Sequence, residues 1–118
     1  MIQEQQNTLE EELNELLRAE AVVDWTREAQ MHLYFAMRIF QLTGEEMTYS
    51  EIYDLCLYPD NAIKKAKAIE VGDDKRKKAD RKGVVAYFFN FKESMQSVKD
   101  VTVARLLRMF AERGLNTY

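Results

Sequence analysis

The chain has one proline, four glycines and one cysteine in 118 residues. So little punctuation leaves few places to turn, which argues against a strand-and-turn β-fold and for long helices. Cys56 alone excludes an internal disulfide and suits a reducing compartment. One histidine, His32, and one cysteine fall short of the ligand set of a zinc cage. The longest uninterrupted apolar run, "VVAYFF", is six residues, against roughly twenty for a membrane helix. The opening "MIQEQQNTLEEE" has neither the basic n-region nor the apolar h-region of a signal peptide. There is no Gly-rich phosphate loop, no G-x-S-x-G and no H-E-x-x-H. Glu28 and His32 are four residues apart, whereas a di-iron bundle needs Glu-x-x-His on two helices. Acid pairs such as Glu10–Glu11 and Glu45–Glu46 fall at expected helix starts, where the helix dipole favours carboxylates for structural reasons. The expectation is a soluble, cytoplasmic, non-enzymatic protein with no catalytic residues, no metal and no cofactor.

What the chain does have is apolar material at helical spacing. Hydrophobic residues make up 47% of it, enough for one core. A single all-α domain over residues 1–118 is expected, a compact bundle of five to six helices around a central one at 25–43. "TLEE" reads as a capping box that starts the first helix at Thr8, with Leu9, Leu13, Leu16 and Leu17 on one stripe and residues 1–7 frayed. In the second helix Asp24 is the expected N-cap and Gly44 the stop. Ala29, Leu33, Ala36, Met37 and Phe40 form one apolar stripe there, and Met31, Phe35, Ile39 and Leu42 a second. His32 projects inside this apolar arc, as a hydrogen-bonded structural histidine does. "TYSE" is a second capping box, opening a short helix that buries Ile52, Leu55 and Cys56. A fourth helix starts near Asp60 and stops at Gly72, and residues 72–83 are a charged loop or an exposed helix start. "GVVAYFFNFKESM" fits a strand by composition, but Val84, Phe88, Phe91 and Met95 fit a helix by spacing, and no second strand offers itself as a partner. The last helix runs from about Val101 to Arg113, with Val103, Leu106, Leu107 and Phe110 inward.

The net charge of −3 conceals an asymmetry. Residues 1–60 hold thirteen acids and three bases, while residues 61–118 hold seven acids and fourteen bases. "KKAKAIEVGDDKRKKADRKG" alone carries nine Lys and Arg against four acids. Such a division predicts a nucleic-acid surface, head-to-tail self-association, or pairing of the halves within the fold.

"TYSEIYDLCLYPDNAIKKAK" scans as a capped helix, a tight turn and a second helix with a basic outward face, the layout of a helix-turn-helix. Tyr53 and Leu57 depart from the small and αL-suited residues usual in that layout, and Asp60 puts an acid where phosphates would lie. In this reading Asn61, Lys64, Lys65 and Lys67 face a DNA or RNA partner, Asn61 being suited to an adenine edge. Lys75, Arg76, Lys77, Lys78, Arg81 and Lys82 then contact phosphates. The lead expectation is a small regulatory protein binding nucleic acid, as a homodimer. The alternative is a protein-interaction module, an adaptor, assembly factor or inhibitor, using Glu10, Glu11, Glu12 and Glu15 with Tyr87 and Phe89 at the partner interface.

Overall fold

The computed structural model describes residues 2–19 and 26–117, with side chains from residue 9 onward. Six α-helices follow one another, α1 Ile2–Arg18, α2 Arg27–Thr43, α3 Tyr49–Leu57, α4 Pro59–Lys67, α5 Lys75–Lys92 and α6 Gln96–Glu112. A 3₁₀ turn, Leu115–Thr117, closes the described chain. No strand is present among the described residues, and no helix is long and apolar enough to cross a membrane.

α2 is the hub, in contact with each of the other five helices. It buries Ala29, His32, Leu33, Ala36, Met37, Ile39, Phe40 and Leu42, the two-stripe pattern of a helix packed on several sides. Leu9, Leu13 and Leu16 from α1, Ile52 and Leu55 from α3, Val84 and Phe88 from α5, and Leu106 and Phe110 from α6 complete one continuous core. α4 runs antiparallel along α5: Lys92 at the end of α5 pairs with Asp60 at the start of α4 (2.7 Å), and Arg81 of α5 reaches the carbonyl of Ile69 just past α4 (2.9 Å).

Several local expectations hold for the reasons given. Thr48 caps α3: its hydroxyl accepts from the Glu51 N–H (3.3 Å) and donates to the Glu51 carboxylate (3.1 Å). Gly44 ends α2 at φ +75°, where its N–H closes on the Phe40 carbonyl, and only glycine adopts that backbone freely. Residues 84–92 are helical, because α2 and α4 cover the apolar face that a strand would have had to pair elsewhere.

Other expectations are corrected. α1 begins at Ile2, so Thr8 lies inside the helix and does not cap it. α2 is capped by Thr26, whose hydroxyl accepts from the Ala29 N–H (3.4 Å); Asp24, the expected cap, lies outside the described residues. Met31 is exposed and lines a cleft of about 230 Å³ with residues of α5 and α6. α4 stops at Lys67, five residues before Gly72; Gly72 instead forms the turn, at φ +53°, that delivers the chain into α5. The charged stretch takes the second of its two expected forms, an exposed helix start: it is the first half of α5, capped by the Asp74 carboxylate, which accepts from the Lys77 N–H (3.0 Å). Met95 falls beyond that helix and is exposed, while α6 starts at Gln96, five residues ahead of Val101.

Candidate functional site

α3 and α4 are joined by one residue, Tyr58, held extended (φ −121°, ψ 88°) by the proline that follows it. Pro59 occupies the first turn of α4, where its missing N–H removes nothing from the helix ladder. This junction is tighter than the three- or four-residue turn of a helix-turn-helix. The base-reading positions on α4 are also occupied. The Asn61 amide donates to the Asp54 carboxylate (3.2 Å), and Asp60 is paired with Lys92. Lys65 is half-buried, its ammonium 2.9 Å from Glu45 and 3.8 Å from Glu51, and 5.1 Å from the centroid of the Phe40 ring. Asn61 and Lys65 thus have partners within the fold that pin α4 against α3 and the α2–α3 connection. Lys64 and Lys67 remain exposed.

The remaining bases are divided by the turn of α5. Lys75, Arg76 and Lys77 point in three directions around its first turn. Lys78, Arg81 and Lys82 recur at helical spacing on the side that faces the end of α4. With Lys67 they line an open groove of about 680 Å³, completed by Val85, Ala86, Phe89 and Asn90. Arg81 is anchored there through its bond to the Ile69 carbonyl, which uses one of its five N–H donors. Lys64, Lys67, Lys75, Arg76, Lys77, Lys78 and Lys82 enter no ion pair among the described residues. Pairing between the acidic and basic halves therefore consumes little of the tract. Among the described residues the cross-half pairs include Lys65 with Glu45 and Glu51, Lys92 with Asp60, and Arg38 with Asp80.

Phe89 lies at the other end of the same groove, 53% exposed, and no other ring among the described residues contacts it. Its neighbour Tyr87 behaves differently. Tyr87 turns inward, stacks on Phe35 (centroids 4.4 Å) and bonds to His32, so it is half-buried against the core. The acids of α1 lie apart from this groove's lining; Glu11 and Glu15 are exposed, Glu10 and Glu12 half-buried.

His32 is fully buried and both ring nitrogens are bonded. Nε2 lies 2.8 Å from the Cys56 carbonyl and Nδ1 2.9 Å from the Tyr87 hydroxyl. A carbonyl only accepts, so Nε2 carries the proton and Nδ1 accepts from Tyr87. Phe88 and Phe91 enclose the ring, the latter at 4.2 Å between centroids. Burial holds the imidazole well below its ordinary value, down to about 4, against a smaller opposing effect of the bond to Cys56. Burial likewise pushes the Cys56 thiol and the Tyr87 phenol up. This cluster is a satisfied hydrogen-bond network inside the core. Among the described residues no group of His, Cys, Asp and Glu is arranged to hold a metal.

Val85, Ala86 and Asn90 are groove residues that reading by charge passes over. The spacing Lys78, Lys82, Val85 and Phe89, at i, i+4, i+7 and i+11, marks the stripe once residues 75–92 are taken as one helix.

The geometry thus defines an all-α bundle with a basic, aromatic-ended groove. No protein-family model, curated protein or solved structure matches the chain.

Proposed function

We propose that the protein binds nucleic acid through the face formed by the end of α4 and the first half of α5. The groove carries this reading: Lys67, Lys78, Arg81 and Lys82 converge on one concave surface with no carboxylate in its lining. A solvated face needs no such convergence, and elsewhere in the fold Lys65, Lys92 and Arg38 all have acidic partners. The first turn of α5 adds support. It holds Lys75, Arg76, Lys77 and Lys78 behind the single capping carboxylate of Asp74, so cations outnumber acids at a helix end where the dipole disfavours them. Bound phosphate relieves that repulsion. Lys64 extends the same positive field along α4.

Contacts of this type confer affinity without sequence information and release counterions. Four phosphate contacts lower affinity about 50-fold for a single strand, and about 150-fold for a duplex, between ~50 and ~200 mM salt. Fluorescence anisotropy of labelled oligonucleotides at the two salt concentrations measures this directly. Joint Lys78→Glu and Lys82→Glu substitution, at two exposed positions, is expected to abolish binding at the lower salt with the helical circular dichroism unchanged. Retention of binding by that variant refutes the proposal.

A further inference from the structure

Resting on the nucleic-acid reading above, we infer that the groove takes an unpaired strand, DNA or RNA, with one base stacked on Phe89. Three observations carry this.

The first is the shape of the surface. A duplex is read by an element that projects into a major groove about 12 Å wide. Here α4 lies against α5 along its length, and two helices side by side span roughly 20 Å. The cations line the groove that α5 forms with the end of α4, and they sit on no single projecting helix. A single strand fits such a groove.

The second is the occupation of α4. Asp60, Asn61 and Lys65 are each held by a partner within the fold, which removes the side chains that would address base edges from that helix.

The third is Phe89 itself. Phe88 and Phe91 on the same helix are buried, and Tyr87 is stacked on Phe35, yet Phe89 stands open with no ring against it. A duplex hides its base faces, whereas an unpaired base presents one to an aromatic platform. Lys78 and Lys82 are one helical turn apart, about 6 Å along the axis, and Phe89 follows about 10 Å further on. A strand held by its phosphates on the two lysines reaches the ring with its next bases. Val85 and Ala86 between them give a smooth apolar floor with no carboxylate to repel the backbone.

The test titrates the full chain with labelled dT and rU 15-mers, a random-sequence duplex of equal length, and polyglutamate as a competitor. Either single strand is expected to bind tighter than the duplex. Phe89→Ala is expected to weaken strand binding roughly 5- to 150-fold, with the slope against salt unchanged because no charge is removed. Phe89→Trp should restore binding and show indole fluorescence quenched by the bound strand. Phe89 is exposed, so its removal leaves the core intact.

Duplex bound as tightly as single strand, or Phe89→Ala binding like wild type, overturns the inference. In either case, loss of binding in the Lys78→Glu/Lys82→Glu variant leaves the proposed function standing. Displacement by polyglutamate as efficient as by oligonucleotide also overturns it, since a polyanion without bases would then suffice. Binding of none of the nucleic acids removes both readings.

Discussion

His32 offers the sharpest test of the core. Its ring is buried and neutral, with Nε2–H donating to the Cys56 carbonyl and Nδ1 accepting from the Tyr87 hydroxyl. Protonating Nδ1 would set a second ring proton against the phenol and place a charge among Phe88 and Phe91. In the unfolded chain the same ring titrates near 6.5; in the fold it is held down to about 4. Above about pH 6.5 both states hold a neutral ring, and this group makes stability independent of pH. As pH falls from about 6.5 towards 4 the unfolded state takes up a proton that the folded state refuses, so stability is lost through that window. The loss amounts to about 3 kcal/mol by pH 4, a large part of the stability of a domain this size. Urea unfolding followed by circular dichroism from pH 7 to 4 gives the dependence. His32→Gln, which does not titrate, supplies the background from carboxylates, and the difference between the two slopes is the histidine's share. Because the chain has a single histidine, its ring resonance also needs no assignment strategy. Its shift should stay constant down to about pH 5 in the folded protein. Titration of that resonance between pH 6 and 7 would refute the buried, doubly bonded ring. Tyr87→Phe, which removes only the hydroxyl and leaves Nδ1 buried without a donor, is expected to cost about 1–3 kcal/mol at pH 7.

Two smaller perturbations probe the helices. Gly83 sits in the interior of α5 with a negative φ and nothing within 4 Å of the position a Cβ would take; Gly83→Ala should raise stability by about 0.5–1 kcal/mol in urea unfolding, and a loss would show that the space is needed. Thr48→Ala removes the cap of α3 and should cost about 1 kcal/mol, read as a lower midpoint at constant m-value.

The helices were legible in the chain because each carries its own punctuation and period. Thr48 with Glu51, Gly44, and the Leu9–Leu13–Leu16 stripe are local signals, and local signals survive without knowledge of the fold. The errors cluster at helix ends. "TLEE" matches a capping box wherever it occurs, and nothing within four residues tells an interior Thr8 from a terminal one. Asp74 caps α5 from a stretch whose charge drew attention away from its turn chemistry.

The candidate site was legible in part. Charge counting found the tract, yet the helical phase of α5 and its packing against α4 decide which bases converge. Lys65 and Asn61 looked like neighbours of Lys67, and the fold gives them to Glu45, Glu51 and Asp54 instead. Those partners lie on other elements of the fold, and pairing depends on distance in space. Tyr87 and Phe89 are two residues apart and equally aromatic. Tyr87 is drawn inward by a histidine 55 residues away, and Phe89 is left in the groove.

By itself the sequence determined that the protein is helical, which residues form most of its core, and that its second half is positive, since propensity, period and charge are properties of neighbouring residues. Only the tertiary structure decided that His32 is locked between Cys56 and Tyr87, and that four cations and one open phenylalanine share a single groove. Burial and electrostatic neighbourhood arise when helices far apart along the chain come to lie side by side.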